Sequence, residues 1–145
     1  MLDTALVESL THVLGRDNLS TKDYDLERYS TDALTPSRAF RAAPSLEHTA
    51  DVVVIPRSVN QVVEVVKLAS EHKVPIVPYG GGTGVMGAAL PVRGGIVMDL
   101  KGLNMVLEVN PADMTVLVEA GAILEVLEKA LQQHGLMLGH DPWTV

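Results

Sequence analysis

The residues best suited to chemistry in this sequence form a run of small ones, Pro78-Tyr79-Gly80-Gly81-Gly82-Thr83-Gly84-Val85-Met86-Gly87. Gly80, Gly81, Gly82 and Gly84 crowd into five positions, which costs backbone entropy on folding. Such crowding is expected where the backbone needs positive φ angles, where another group approaches it closely, or both. Following a buried strand, the loop can aim several N–H groups at one point and form an anion-binding nest. The Thr83 hydroxyl adds a further donor. A diphosphate suits such a nest, because amides hold it without buried cations.

Two other phosphate motifs fit less well. Gly82-Thr83-Gly84-Val85-Met86-Gly87 matches G-x-G-x-x-G, but a Rossmann site needs a helix to begin within the motif. Pro91 and Gly94-Gly95 leave no room for one. A P-loop needs Lys and Ser/Thr after its last glycine, and Ala88-Ala89 stand there instead. A glycine-rich connector without a ligand remains the alternative reading of the loop alone.

Composition narrows the partners. The 145 residues suit one domain, and a hydrophobic content of 47% supports a real core. With 11 basic and 18 acidic residues the net charge is −7, which argues against a nucleic-acid partner. Without cysteine there can be no disulfide, no cysteine-held zinc or iron–sulfur cluster and no thiol nucleophile. His12, His48, His72, His134 and His140 lack metal-ligand spacing, so no metal is expected. Val74 to Val92 is uncharged and imitates a membrane span, yet Pro75, Pro78, Pro91 and its glycines could not satisfy a lipid-exposed backbone. No transmembrane segment or secretory signal is read, and the cytoplasm is the expected compartment.

The elements that must position the loop follow from periodicity. Leu2, Leu6, Leu10, Val13 and Leu14 are spaced for a helix that Gly15 stops. Asp17 to Ser45 reads as an irregular, polar lead-in over the surface. Val52–Ile55 is a strand buried on both faces. Ser58 and Gln61 form a capping box for a helix to about His72, with Val62, Val63, Val66 and Ala69 inward. Val74–Val77 is the next strand, expected to pair in parallel with the first. Ile96–Leu100 is a strand, with a turn or capping role for Asp99. Met105–Val109 and Thr115–Glu119 flank Asn110-Pro111-Ala112-Asp113 as a hairpin. Ala122–His134 is a helix with Ile123, Leu124, Leu127 and Leu131 inward, ended by Gly135. Leu136-Met137-Leu138 reads as the start of a strand. Trp143 could stack on a ring or lie exposed.

Several stretches together resemble a known family. They are Pro75-Ile76-Val77-Pro78-Tyr79-Gly80-Gly81-Gly82-Thr83-Gly84, Gly94–Leu100, Tyr29-Ser30-Thr31-Asp32, Ile55-Pro56-Arg57-Ser58, Val118-Glu119-Ala120-Gly121 and Leu138-Gly139-His140-Asp141-Pro142. In this order they resemble the FAD-linked oxidases of the glycolate oxidase large subunit and D-lactate dehydrogenase type, within the p-cresol methylhydroxylase and vanillyl-alcohol oxidase superfamily. The resemblance implies an α+β fold, the first part of a two-subdomain FAD-binding domain. Residues 1–45 would be an N-terminal helix and lead-in, and 46–145 the FAD-binding domain, incomplete at its C-terminus. It implies FAD contacts at Pro78, Tyr79, Gly80, Gly81, Gly82, Thr83, Gly84, Val85 and Gly87, and along the flavin at His140, Asp141 and Pro142. Tyr79 stands where many relatives have Arg, so diphosphate binding leans on the backbone. Thr83 stands where flavin-tethering members have His, so non-covalent FAD is expected.

The implied activity of the intact protein is oxidation of a small 2-hydroxy acid, lactate- or glycolate-like, by hydride transfer to FAD. Its catalytic residues are expected beyond Val145. The alternatives are a non-catalytic nucleotide-binding fragment that needs a partner chain, and the UDP-sugar reductase branch of the same superfamily. The 145 residues alone are expected to bind FAD weakly, to be inactive and to self-associate through uncovered apolar surface.

Overall fold

The structure, a computed structural model, describes residues 2–33 and 49–140. Helix α1 (Thr4–Leu14) begins where Asp3, in extended backbone, accepts from the Ala5 N–H at 3.2 Å. Its Leu6, Leu10 and Leu14 recur one turn apart and are all buried. Gly15, at φ 79°, ends it and donates to the Thr11 carbonyl at 2.8 Å.

A four-stranded sheet carries the core, in the order β1 (Leu19–Ser20), β2 (Val52–Val54), β4 (Ile96–Asp99), β3 (Ile76–Tyr79). Strand β1 is antiparallel to β2, whereas β2 and β3 both run parallel to β4. The strands on either side of the capped helix are therefore parallel, as expected, but do not pair with each other. The fully buried Ile96-Val97-Met98-Asp99 takes the place between them, where both of its faces are covered.

Alternation along these strands divides the molecule into two layers. Val52, Val54, Ile96 and Met98 join Leu6, Leu10, Leu14, Val65 and Ala69 in one cluster. Val53 and Val97 join Tyr29, Ala50 and Tyr79 in another. Register sets Val77 opposite Val97 and Tyr79 opposite Asp99, so the last residues of β3 and β4 meet on the second face. That face carries the candidate site.

Helix α3 (Val59–Glu71) starts at Ser58, whose Oγ accepts from the Gln61 N–H at 3.2 Å. The Gln61 side chain accepts from Arg57 N–H at 2.7 Å, not from Ser58, and donates to the Val13 carbonyl at 3.1 Å. One side chain thus caps α3 and ties it to α1. The inner stripe differs from the expectation. Val65 and Ala69 are buried and Val62 is partly so, while Val63 and Val66 lie exposed. Valines at 62, 63, 65 and 66 wrap more than one helical stripe, and only packing against α1 selects the stripe through 62, 65 and 69.

Three further expectations are corrected. Asp17 to Ser45 is not simply an irregular cover. Its described part holds β1, helix α2 (Asp23–Arg28) and the buried Tyr29, Ser30 and Asp32. Residues 34–45 lie outside the described residues. Helix α4 spans Leu124–Gln132 with Leu127 and Leu131 buried, but Ile123 precedes it and is exposed. Leu136–Leu138 forms no strand. The Leu136 N–H donates to the Leu131 carbonyl and the Leu138 N–H to Glu128, which folds the segment back on α4.

The hairpin of β5 (Val106–Asn110) and β6 (Thr115–Val118) stands as a separate two-stranded sheet. Its turn is fixed by Asn110, whose Oδ1 accepts from the Asp113 N–H at 3.1 Å. Met105, Leu107 and Leu117 are more than half exposed around it.

Candidate functional site

Strand β3 delivers the chain at Tyr79 straight into the glycine loop. The segment after α2 clamps that loop from below. The Tyr79 hydroxyl donates to the Thr31 carbonyl at 3.3 Å, the Gly87 N–H donates to Asp32 Oδ2 at 2.9 Å, and the Ala33 N–H donates to the Gly84 carbonyl at 3.0 Å. Ser30 anchors the clamp to the sheet, accepting from the Ala50 N–H at 2.9 Å. Tyr29-Ser30-Thr31-Asp32, quoted above only for its resemblance, is therefore the support of the loop.

The crowded glycines differ in what the chain itself demands of them. Gly82 has φ 67°, and a methyl group there would run into the Tyr79 hydroxyl, so the chain itself requires it. Gly80 and Gly84 have ordinary φ, and a methyl on either would meet no protein atom within 4 Å. Packing among the described residues gives no reason for glycine at these two positions. Among the described residues, no partner accepts from the amide N–H of Gly81, Gly82 or Thr83. Open space above unpaired donors is what a cradle for an anionic group needs.

Gly80, Gly81 and Thr83 line a cavity of about 350 Å³. Its opposite wall is Ala120-Gly121-Ala122-Ile123-Leu124, the entry to α4, where no side chain caps the helix start. The first N–H groups of a helix lack intrahelical acceptors and carry its positive dipole end. A close approach seats the α4 entry against the segment that follows β4. A methyl on Gly121 would collide with the Leu100 carbonyl, and the Gly121 N–H donates to the Leu103 carbonyl at 2.8 Å. Lys101 completes the lining.

Beneath Lys101 lies a polar cluster. The Tyr29 hydroxyl donates to Asp99 Oδ2 at 2.5 Å, and Lys101 Nζ reaches the same oxygen at 3.2 Å. Asp99 also accepts from the Lys101 N–H at 2.9 Å, capping a single 3-10 turn, Leu100–Gly102. The rings of Tyr29 and Tyr79 meet edge to face at 4.9 Å. Burial, then the hydrogen bond to Asp99, pushes the Tyr29 phenol well above its ordinary range. Burial also raises Tyr79. Both phenols therefore remain protonated donors at neutral pH.

Of the residues expected at the cofactor, Gly80, Gly81 and Thr83 share the cavity. Gly82 caps the Tyr79 ring, while Gly84 and Gly87 are held by the clamp. Pro78 and Val85 are exposed and Tyr79 is buried below the loop. His140 is exposed and does not line the cavity. Asp141, Pro142 and Trp143 lie outside the described residues. The sequence reading missed Lys101, which no periodicity marks, and the α4 entry, for which Val118-Glu119-Ala120-Gly121 was the available signal. Among the described residues, no helix is long and apolar enough to cross a membrane.

Residues 50–145 match the family described as an FAD binding domain, and the chain belongs to that family. It is 39% identical over 137 residues to "D-lactate dehydrogenase [cytochrome], mitochondrial" of Arabidopsis thaliana, covering 94% of this chain and 23% of that protein. It is 31% identical over 142 residues to "Glycolate oxidase subunit GlcD" of Bacillus subtilis (strain 168), covering 98% and 28%. A solved structure of alkyldihydroxyacetonephosphate synthase matches with a TM-score of 0.81 at 29% identity, covering 98% of this chain and 29% of that one. A p-cresol methylhydroxylase structure with substrate bound matches at 0.69 and 26% identity, covering 91% and 25%. The chain thus spans about a quarter of the length of these relatives. The α+β class and the kinship with the p-cresol methylhydroxylase type hold, and FAD is the cofactor that family membership supports.

Proposed function

We propose that the loop Gly80–Gly84 and the entry to α4 hold the diphosphate of FAD, as part of a flavin-dependent oxidoreductase. One observation carries this reading. Gly80 is a glycine that neither φ nor packing demands, and it lines a cavity beside unpaired amides and an uncapped helix start. Tyr79, Thr31, Asp32 and Ala33 fix the loop, so its N–H groups are oriented before a ligand arrives. Bound FAD would accept a hydride from a 2-hydroxy acid, the substrate class suggested by the lactate and glycolate names of the sequence relatives. Thr83, standing where flavin-tethering members of the superfamily have His, supports non-covalent attachment. Residues 46–145 then form the first part of the FAD-binding domain. The exposed Met105, Leu107 and Leu117 favour self-association of the isolated chain.

The test is FAD titration of the chain and of Gly80→Ala. The wild type binds FAD more weakly than micromolar. The substitution leaves the fold intact, because the methyl meets no protein atom, and weakens FAD further. Equal affinity in both proteins removes the loop from the site.

A further inference from the structure

Among the described residues, Lys101 is the one charged residue lining the cavity; Gly80, Gly81, Thr83 and the five residues from Ala120 to Leu124 are uncharged. Its ammonium is also fixed in place. It lies 3.2 Å from Asp99 Oδ2, 5.3 Å from the centre of the Tyr29 ring and 5.8 Å from that of Tyr79. Asp99 is only 2% exposed, and its carboxylate is pinned by Tyr29. The Lys101 side chain, by contrast, is 44% exposed. A lysine has three N–H donors, and the contact with Asp99 occupies one side of the group. The remaining donors are available to a guest in the cavity.

We propose that Lys101 is the cation that neutralises the diphosphate held in this cavity, with Asp99, Tyr29 and Tyr79 as positioning residues for its ammonium. The inference rests on the diphosphate reading of the glycine loop and adds a charge that the loop does not have. The net charge of −7 sharpens the need, since the surrounding field disfavours a dianion and amides alone do not reverse its sign. The two ring faces attract the ammonium, and the buried Asp99 carboxylate keeps it from swinging into solvent. A cation already held by its neighbours loses less side-chain entropy when the anion binds.

The experiment is an NMR titration of the chain with inorganic pyrophosphate, ADP and adenosine, for the wild type, Lys101→Gln and Lys101→Arg. In the wild type, pyrophosphate and ADP shift the Gly80–Thr83 amides and the Lys101 Cε resonance, whereas adenosine leaves Lys101 unmoved. Lys101→Gln weakens pyrophosphate and ADP by about tenfold or more and reduces the salt dependence of binding, while the affinity for adenosine is unchanged. Lys101→Arg retains most of the affinity. If the Gly80–Thr83 amides respond but the Lys101 resonance stays still, or Lys101→Gln binds ADP as well as the wild type, Lys101 has no such role and the loop reading stands. If neither anion shifts those amides, the loop reading fails and the role of Lys101 falls with it. The wild-type Cε reading decides the matter even where Lys101→Gln does not fold.

Discussion

The Tyr29 hydroxyl donates to Asp99 Oδ2 at 2.5 Å, joining the end of α2 to the end of β4 across 70 positions of sequence. Because burial and this bond raise the phenol's pKa above its ordinary 10.0, the folded chain keeps the Tyr29 proton to higher pH than the unfolded chain does. The stability from this group is complete below about pH 10 and is lost as pH rises beyond it. Tyr79, raised by burial, acts in the same direction. Urea unfolding should show stability declining from about pH 10 upward. Tyr29→Phe should cost about 1–3 kcal/mol at neutral pH and flatten that decline. An identical alkaline slope in both proteins would exclude Tyr29 as its source.

Gly82 and Gly80 should respond oppositely to the same methyl group. Gly82→Ala forces a side chain to φ 67° and against the Tyr79 hydroxyl, and should destabilise by more than about 1 kcal/mol. Gly80→Ala should leave the melting temperature unchanged or slightly raised, since it only restricts the unfolded chain. Thermal melts of the two variants side by side check this. Equal losses would mean the loop differs from the geometry described.

Asp32→Ala removes the acceptor of the Gly87 N–H. The expected loss is about 1–3 kcal/mol, with faster hydrogen exchange at Gly87 and Ala33, the two amide donors of the clamp, than in the β2 amides. Uniform acceleration across the chain would show that Asp32 stabilises the whole fold and not the loop in particular.

Acid denaturation followed by mass spectrometry tests the mode of attachment. FAD should separate completely, leaving the polypeptide at its sequence mass. A retained flavin mass would establish a covalent link and redirect attention to residues outside the cavity.

The fold was legible in the sequence where local chemistry and tertiary packing agree. Gly15 ends α1, Ser58 caps α3, and Asn110 turns the hairpin; each acts within a few residues of itself. The insertion of β4 between β2 and β3 was not legible, since parallel pairing leaves no local mark and all three strands are short apolar runs. The glycine loop was visible as composition. Its support was not, because Tyr29 and Asp32 reach Asp99 and Gly87 through single hydrogen bonds over long separations. Lys101 stayed hidden for a related reason: one lysine after a strand reads as solvated surface until Tyr29 and Tyr79 are seen beside it.

The central position of β4 has a consequence for assembly. Strands β2 and β3, with α3 between them, are complete by residue 79, yet they share no hydrogen-bonded edge until residues 96–99 arrive to bridge them. During synthesis on a ribosome, the first half of this chain therefore waits with two open strand edges. The sheet knits only after the whole glycine segment has emerged and closed as a loop, which makes that closure an obligatory entropic step before the parallel pairings form.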